Sequence, residues 1–252
     1  MRGRTALCLI GHLRDWDAVW PSLKENVIDP LQPDVFGFTW SDSLGFHMHV
    51  FDRAHPSFSM GYDPESPAIP PDLIDRIHDR LKPKMLQVMD PAEIKDFLDE
   101  TTIRHRDCEP EWIFHRARPK FQMAYTKMAG IRLKRQYEKE NNFIYDRVIF
   151  TRWDWHHAEP LTRYIDTYPT DKVLIPNKYT YGGDCDMWAM GPSHLMDMYA
   201  NILPTVDMVK TIPGFHSNPH HWMRWHFQYY GIPYITANLN MGIWNRPEAR
   251  PA

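Results

Sequence analysis

Phe143-Ile144-Tyr145-Asp146-Arg147-Val148-Ile149-Phe150-Thr151-Arg152-Trp153-Asp154-Trp155-His156-His157 is the stretch that decides the fold. An apolar run of β-branched and aromatic residues, as in a buried strand, stops abruptly at a carboxylate and two imidazoles. Open α/β sheets bind their ligands at the carboxyl ends of such strands. Asp154 and His156 are two apart, and in extended backbone residues two apart share a side. The spacing therefore predicts one carboxylate and one imidazole converging on a single ion or phosphate cluster. That is the arrangement of a metal-assisted reaction.

Working outward, the same pattern recurs on both sides. Thr5 to Ile10 reads as a buried first strand that breaks at Gly11-His12-Leu13-Arg14. Asp15 to Asn26 follows with Trp16, Val19, Trp20, Leu23 and Val27 at near-helical spacing, dented or restarted at Pro21. Val35 to Trp40 is a second continuous apolar strand. Strand, helix and strand in this order predict a right-handed parallel unit. Ser41 to Pro71, rich in Pro, Gly, Ser and His, reads as a loop or lid. Asp72 to Leu81 reads as a short helix, Lys84 to Met89 as an edge strand, and Pro91 to Glu100 as a helix capped by Asp90. Glu109 to Pro119 is irregular and basic, and the region 41–119 as a whole reads as a loop-rich insertion. Lys120 to Glu140 carries the broadest helical apolar face, ended by Asn141-Asn142. Beyond the opening stretch come a strand at Lys172 to Pro176, a glycine-bearing turn at Tyr181 to Asp186 and a short buried segment at Met187 to Met190. Helices at Pro192 to Leu203 and Pro219 to Tyr230 and a last strand at Ile232 to Ala237 complete the chain. The sum is an α/β protein: one α/β/α sandwich over 1–252 with a mainly parallel twisted sheet, Rossmann-like in plan.

Composition narrows the function classes. The 252 residues are 43% hydrophobic, enough for a sizeable core, and the net charge of -3 argues against a general nucleic-acid coat. Cys8, Cys108 and Cys185 are odd in number and lack Cys-x-x-Cys spacing, which argues against a disulfide framework or a cysteine zinc site and points to a reducing, cytoplasmic setting. No run approaches the ~20 apolar residues of a membrane span, and the start is too short in apolar residues for a signal peptide.

Five constellations carry chemistry. Asp154 and His156, with His216 from the cluster Phe215 to His221 as a third donor, could hold a divalent ion; oxygen-rich donors suit Mg²⁺ or Mn²⁺, and an imidazole tilts the choice toward Mn²⁺. Gly11, His12 and Arg14 sit where a strand hands over to a helix, a place that favours anions. Gly182 and Gly183 allow close backbone approach beside Asp184 and Asp186, either of which could act as a general base. Gln122 and Lys127 lie on the long helix, and Lys127 could reach a diphosphate. Trp40, Trp153, Trp155 and Trp188 could floor a sugar or base by stacking, or could simply be core. Each of these also has an ordinary structural explanation: a capped turn, a solvated charge, a surface histidine.

Taken in order, several segments resemble a family of glycosyltransferases with a GT-A-like fold. Ala6-Leu7-Cys8-Leu9-Ile10-Gly11-His12-Leu13-Arg14 is similar to that family's Gly-Gln-Leu-Arg start, with His12 in place of Gln. Pro21 to Lys24, Ile28 to Leu31, Asp34 to Phe36 and Thr39-Trp40 resemble the next block. Tyr137 to Phe143 and Tyr145-Asp146 resemble the helix and strand before an Arg-x-Arg-x-Asp segment, and Gly182 to Asp186 with Gly191-Pro192-Ser193 its Gly-Gly-x-x-Asp block. Met196 to Tyr199 follows in register. About two-thirds of the chain is covered; Ser41 to Arg118 is not. Two departures stand out: Phe150 occupies the place of the first arginine of the pair, and the usual Asp-x-Asp is Asp154-Trp155-His156, which leaves metal dependence open.

The resemblance implies transfer of a sugar from a nucleotide-diphosphate sugar to an acceptor hydroxyl. It places Gly11 and Arg14 beside the diphosphate, Asp154 and His156 at the metal or sugar, and Asp186 at the acceptor; Arg152 is a further donor-binding candidate and Asp184 an alternative base. The acceptor could be a glycan, a protein, a lipid-linked sugar or a modified nucleic-acid base, the last through a basic run at Arg104, Arg106, Arg116, Arg118 and Lys120. A metal-dependent hydrolase built on Asp154, His156, His216 and Asp186, and a non-catalytic nucleotide-sugar binder, are the rival expectations.

Overall fold

The structure, a computed structural model, describes residues 3–13, 15–41, 69, 71–104, 117–205, 208 and 219–243. Arg14, Cys108 and His216, and most of the expected lid between Ser41 and Pro71, lie outside the described residues.

The chain begins with β1 (Thr5–Ile10), α1 (Trp16–Leu23) and a continuation of that helix through a π-turn at Lys24–Ile28 into α2 (Asp29–Leu31). Pro21 lies inside α1 and removes one backbone donor just before the helix widens. Then come β2 (Asp34–Trp40), α3 (Pro71–Leu81), β3 (Met85–Met89) and α4 (Lys95–Arg104). A 3₁₀ turn at Pro91–Ile94 leads into α4, closed by the reciprocal Asp90 and Glu93 capping box. Next are α5 (Ala117–Asn141), β4 (Arg147–Arg152), β5 (Trp155–His157), α6 (Thr162–Thr167) and β6 (Val173–Pro176). The last elements are β7 (Trp188–Gly191), α7 (Ser193–Ala200), α8 (Pro219–Tyr230), β8 (Tyr234–Ala237) and β9 (Met241–Ile243). α5 starts three residues earlier than the sequence predicts, because Pro119 sits in the first turn, where its missing donor has no helical partner to lose.

Seven strands form one sheet in the order β3-β2-β1-β4-β7-β6-β8. The β1–β2, β1–β4, β2–β3 and β6–β8 pairs are parallel, whereas β7 runs antiparallel to both β4 and β6. β5 and β9 form a separate antiparallel pair. The α/β expectation and the mainly parallel sheet therefore hold. Alternation along β1 shows why the sheet is covered on both faces: Ala6, Cys8 and Ile10 enter one core cluster, Leu7 and Leu9 the other. The first cluster packs α5, α7 and α8; the second packs α1, α3 and the β5–β9 pair.

Two features of this topology place the site. β1 is flanked by β2 on one side and β4 on the other, so the chain order reverses there, the kind of switch point at whose carboxyl edge open α/β sheets bind ligands. Because β7 is reversed, the turn before it arrives at that same edge: Thr151 near the end of β4 pairs with Trp188 at the start of β7.

Candidate functional site

Gly11 ends β1 with φ of 95°, a left-handed conformation that strains any side chain, and a Cβ built there would meet nothing within 4 Å. The backbone at the switch point is thus open on one side. His12 lies beside Trp40, their ring centroids 6.4 Å apart.

Ile10 pairs with Arg152, which puts the end of β4 next to the end of β1. Arg152 grips Asp154 with a paired set of bonds, Nε donating to Oδ1 at 2.7 Å and Nη2 to Oδ2 at 2.5 Å. Its third nitrogen, Nη1, lies 3.4 Å from the Met187 sulfur, a weak acceptor. About a quarter of the Arg152 side chain is exposed, against 2% for Asp154. Burial works against the Arg152 charge, but Asp154, then Asp186 and Cys185, raise its pKa above the ordinary arginine value.

Asp154 and His156 do not share one extended run. Trp153-Asp154 form a turn between β4 and β5, so the alternation that would aim both side chains one way is interrupted. His156 instead sits in β5 opposite Gly242 of β9, and burial lowers its pKa. Among the described residues no group of three or more His, Cys, Asp or Glu converges as a metal shell, and both Asp154 oxygens are held by Arg152. The described part of the expected set Asp154, His156 and His216 does not fit an ion as it stands.

The four tryptophans offered as a stacking floor are core instead. Trp40, Trp153, Trp155 and Trp188 are at most 1% exposed. Trp40 Nε1 donates to Thr126 Oγ1 at 3.1 Å and Trp153 Nε1 to the Phe38 carbonyl at 3.0 Å. An exposed aromatic ring in this region is Tyr181, held at φ of 42° in the turn before Gly182. Its ring centroid is 4.9 Å from that of His220. A bulky residue in the left-handed region is a strained conformation that the surroundings must impose.

Gly182, Gly183, Asp184 and Asp186 come together with α8. A Cβ on Gly183 would lie 2.1 Å from the His220 carbonyl oxygen, so only glycine lets this turn lie backbone to backbone on the start of α8. The Asp184 amide donates to that same carbonyl at 2.9 Å. Arg224, one turn further along α8, donates to the Gly182 and Gly183 carbonyls at 3.0 and 2.8 Å. Tyr234 donates to Asp184 Oδ2 at 2.9 Å, and burial, then this carboxylate, raises the tyrosine pKa.

Asp186 is the centre of a buried charged group. Its Oδ1 lies 3.2 Å from His220 Nδ1 and its Oδ2 3.7 Å from Lys127 Nζ. Lys127 also donates to the Asp186 backbone carbonyl and to Tyr199 Oη at 3.2 Å, its ammonium 4.8 Å from the Tyr199 ring centroid. Burial alone would push the Asp186 carboxyl up, but Lys127, His220 and Arg152 together hold it below the usual carboxylate value. Burial also lowers the Lys127 pKa, with Asp186 opposing. Cys185, between the two aspartates, is buried and its thiol is pushed up to about 12, which disqualifies it as a nucleophile.

Of the residues singled out from sequence, the structure brings Gly11, His12, Arg152 and Asp154 to one side of this sheet edge and Gly182, Gly183, Asp184, Asp186 and Lys127 to the other. Lys127, expected at a diphosphate, is 1% exposed and braces Asp186 from beneath. Gln122 is buried in α5, its carbonyl accepting from Thr126. Of the basic run, Lys120 is buried in α5, and the other four side chains lie outside the described residues. Sequence reasoning passed over Tyr181 and Arg224, and it grouped His220 with a histidine cluster without connecting it to Asp186.

The fold and edge just described are those of an open α/β protein with a polar site at its switch point. No family model matches the chain, and no curated protein matches it. Among solved structures, the crystal structure of mouse xyloside xylosyltransferase 1 in its apo form covers 93% of this chain and 84% of its own, at 9% identity and a TM-score of 0.44. At that score the likeness lends no weight to the role of any residue. No helix among the described residues is long and apolar enough to cross a membrane.

Proposed function

We propose that this protein transfers a sugar from a nucleotide-diphosphate sugar to an acceptor hydroxyl, with the donor at the carboxyl ends of β1 and β4. One observation carries the reading. Across the adjacent strands β4 and β7, a partly exposed guanidinium, Arg152, stands beside a buried carboxylate, Asp186, that is kept ionised by cations. The first suits a departing diphosphate, which gathers negative charge in the transition state; the second suits removal of a proton from the acceptor. The open left-handed turn at Gly11 gives a phosphate room to approach backbone donors. The family resemblance of the sequence supports the same placement.

In this reading His12 and Gly11 line the donor side with Arg152, and Asp184 and Asp186 lie on the acceptor side. Gly182 and Gly183 set the height of that turn. A Mn²⁺ or Mg²⁺ ion would reach Asp154 only if Arg152 let go of it, so no step is assigned to the ion. The acceptor class is a glycan, a protein, a lipid-linked sugar or a modified base.

The test is a thermal-shift screen of UDP, GDP, CDP, ADP and their sugars, each with Mn²⁺ and with chelator. A ligand held by the native state raises its stability, by about 2.7 kcal/mol at a hundredfold excess over Kd. The expected result is a rise specific to one base that is lost in Arg152→Ala. No rise with any nucleotide, together with a rise on metal alone, would replace the transferase by the hydrolase.

A further inference from the structure

Asp154 is where the sequence places a metal ligand, yet its surroundings are those of a counter-ion. The turn that carries it is fixed at three points. The Trp153 amide donates to the Ile10 carbonyl at 3.3 Å, Trp153 Nε1 donates to the Phe38 carbonyl at 3.0 Å, and Trp155 is fully buried. Asp154, between the two tryptophans, is therefore set in place from both sides. Its side chain is 2% exposed, and both oxygens accept from Arg152. An ion entering there would have to displace a charge-assisted pair and stand against a guanidinium that keeps its charge. The guanidinium itself is only partly used. Of its five N–H groups, Asp154 takes one from Nε and one from Nη2, and the Met187 sulfur faces Nη1. Among the described residues that leaves two N–H groups without an acceptor, on a side chain about a quarter exposed. Arg152 pairs with Ile10, the residue just before the open turn at Gly11, so these donors belong to the anion side of the site.

Resting on the transferase reading, we infer that Asp154 is the residue that positions Arg152 rather than a metal ligand, and that the paired guanidinium takes the donor diphosphate without a divalent ion. Diphosphate oxygens accept the N–H groups that Asp154 leaves over, while Asp154 keeps its own two. The carboxylate weakens the long-range attraction of the arginine for an anion, and at the same time it holds the planar fork in one orientation. Recognition then rests on the direction of fixed N–H groups more than on net charge, which is the use to which arginine is better suited than lysine. A buried acceptor behind a ligand-binding group commonly orients it in this way.

Calorimetric titration of the full chain with the nucleoside diphosphate identified by thermal shift tests this. Binding to the wild type should be at least as tight in chelator as in Mn²⁺ or Mg²⁺. A loss of about tenfold or more in chelator, 1.4 kcal/mol, overturns the inference. Arg152→Ala should weaken the diphosphate by about 10–100-fold and leave the matching nucleoside unchanged. Asp154→Asn should weaken the diphosphate by less, equally in Mn²⁺ and in chelator, again sparing the nucleoside. An Asp154→Asn effect present in Mn²⁺ and absent in chelator would make Asp154 a metal ligand, and an equal loss of nucleoside affinity would make it merely structural; either overturns the inference. Mn²⁺ titration followed by electron paramagnetic resonance adds an arm free of nucleotide: Mn²⁺ bound by the wild type and lost in Asp154→Asn overturns it too. Both wild-type measurements stand even where a variant fails to fold. If no nucleoside diphosphate binds the wild type, the transferase reading falls, and inorganic pyrophosphate in chelator judges the pair. A thermal rise lost in Arg152→Ala then upholds the anion seat, and no rise overturns it.

Discussion

α5 buries Lys120, Lys127 and Lys134, and the last two, seven residues and two turns apart, are held in opposite ways. Lys134 is 0% exposed and saturated: Ser193 Oγ at 2.6 Å, Asp197 Oδ1 at 2.7 Å and Glu138 Oε2 at 2.9 Å. Glu138 also takes the Tyr145 amide at 2.9 Å and the Ser193 hydroxyl at 2.9 Å, so the network closes on itself. Lys127 has one carboxylate, at 3.7 Å, and that carboxylate is shared with His220. The lower lysine bolts α5 to α7 and leaves nothing over. The upper one holds a carboxylate loosely enough for its charge to act elsewhere. A saturated buried charge is scaffold, whereas a shared one is available for chemistry.

That contrast can be broken first at Lys134. Lys134→Met leaves the buried Glu138 carboxylate without its lysine and Asp197 with Arg135 at 3.6 Å, and should cost about 3–5 kcal/mol, read as a lowered urea midpoint. A loss under about 1 kcal/mol would mean the network adds little. Lys127→Met should cost less than about 3 kcal/mol, because Asp186 keeps His220 and Arg152, yet it should remove most turnover. Equal destabilisation by the two variants would erase the distinction. Gly183→Ala comes next. Its methyl cannot coexist with the His220 carbonyl, so the turn and α8 must separate, at about 1–3 kcal/mol and with turnover falling more than stability. Retention of wild-type turnover would detach the turn from the site.

The smallest effect sharpens the comparison by removing an unrelated acid response. His157 is wholly buried, and among the described residues neither ring nitrogen has a hydrogen-bond partner. Burial, then neighbouring His156, lowers its pKa to about 3. In the unfolded chain the ring protonates near the ordinary value of 6.5. Between those values only the unfolded state binds the proton, so stability is complete above about pH 6.5 and falls as pH drops toward about 3. His157→Phe should flatten that limb and gain about 1–2 kcal/mol at pH 5, measured by unfolding at pH 5 and 8. An unchanged slope would assign the acid limb to other groups.

The sequence made the frame legible where one physical signal dominated. Thr5–Ile10 and Pro219–Tyr230 were readable to the residue, the first as an unbroken apolar run, the second as a helix bounded by Pro219 and Gly231. The three-residue strands Trp155–His157 and Met241–Ile243 are too short to show a period and were not foreseen, nor was the short helix Thr162–Thr167. Strand direction is also silent in an apolar run, so Trp188–Gly191 gave no sign of being reversed. In the site, Arg152, Asp154, Asp184 and Asp186 were visible because polar groups at strand ends are conspicuous. Their partners were not. Lys127 contacts Asp186 across 59 residues, and helical periodicity does not say which lysine a neighbouring helix will cover. The turn at Trp153-Asp154 likewise defeated a rule that holds only in extended chain.

The reversal of β7 has a consequence for how such a site can change over time. The anion side is delivered by parallel strands, each tied to a crossover helix that the core depends on. The proton side arrives in a short turn ahead of a single antiparallel strand. Residues 177–187 can therefore lengthen, shorten or be exchanged without rethreading a layer of the sandwich. On the proposed transferase reading, selection could rewrite what receives the group while what gives it stays the same, and a chimera swapping only those eleven residues should change acceptor preference while keeping the nucleotide preference.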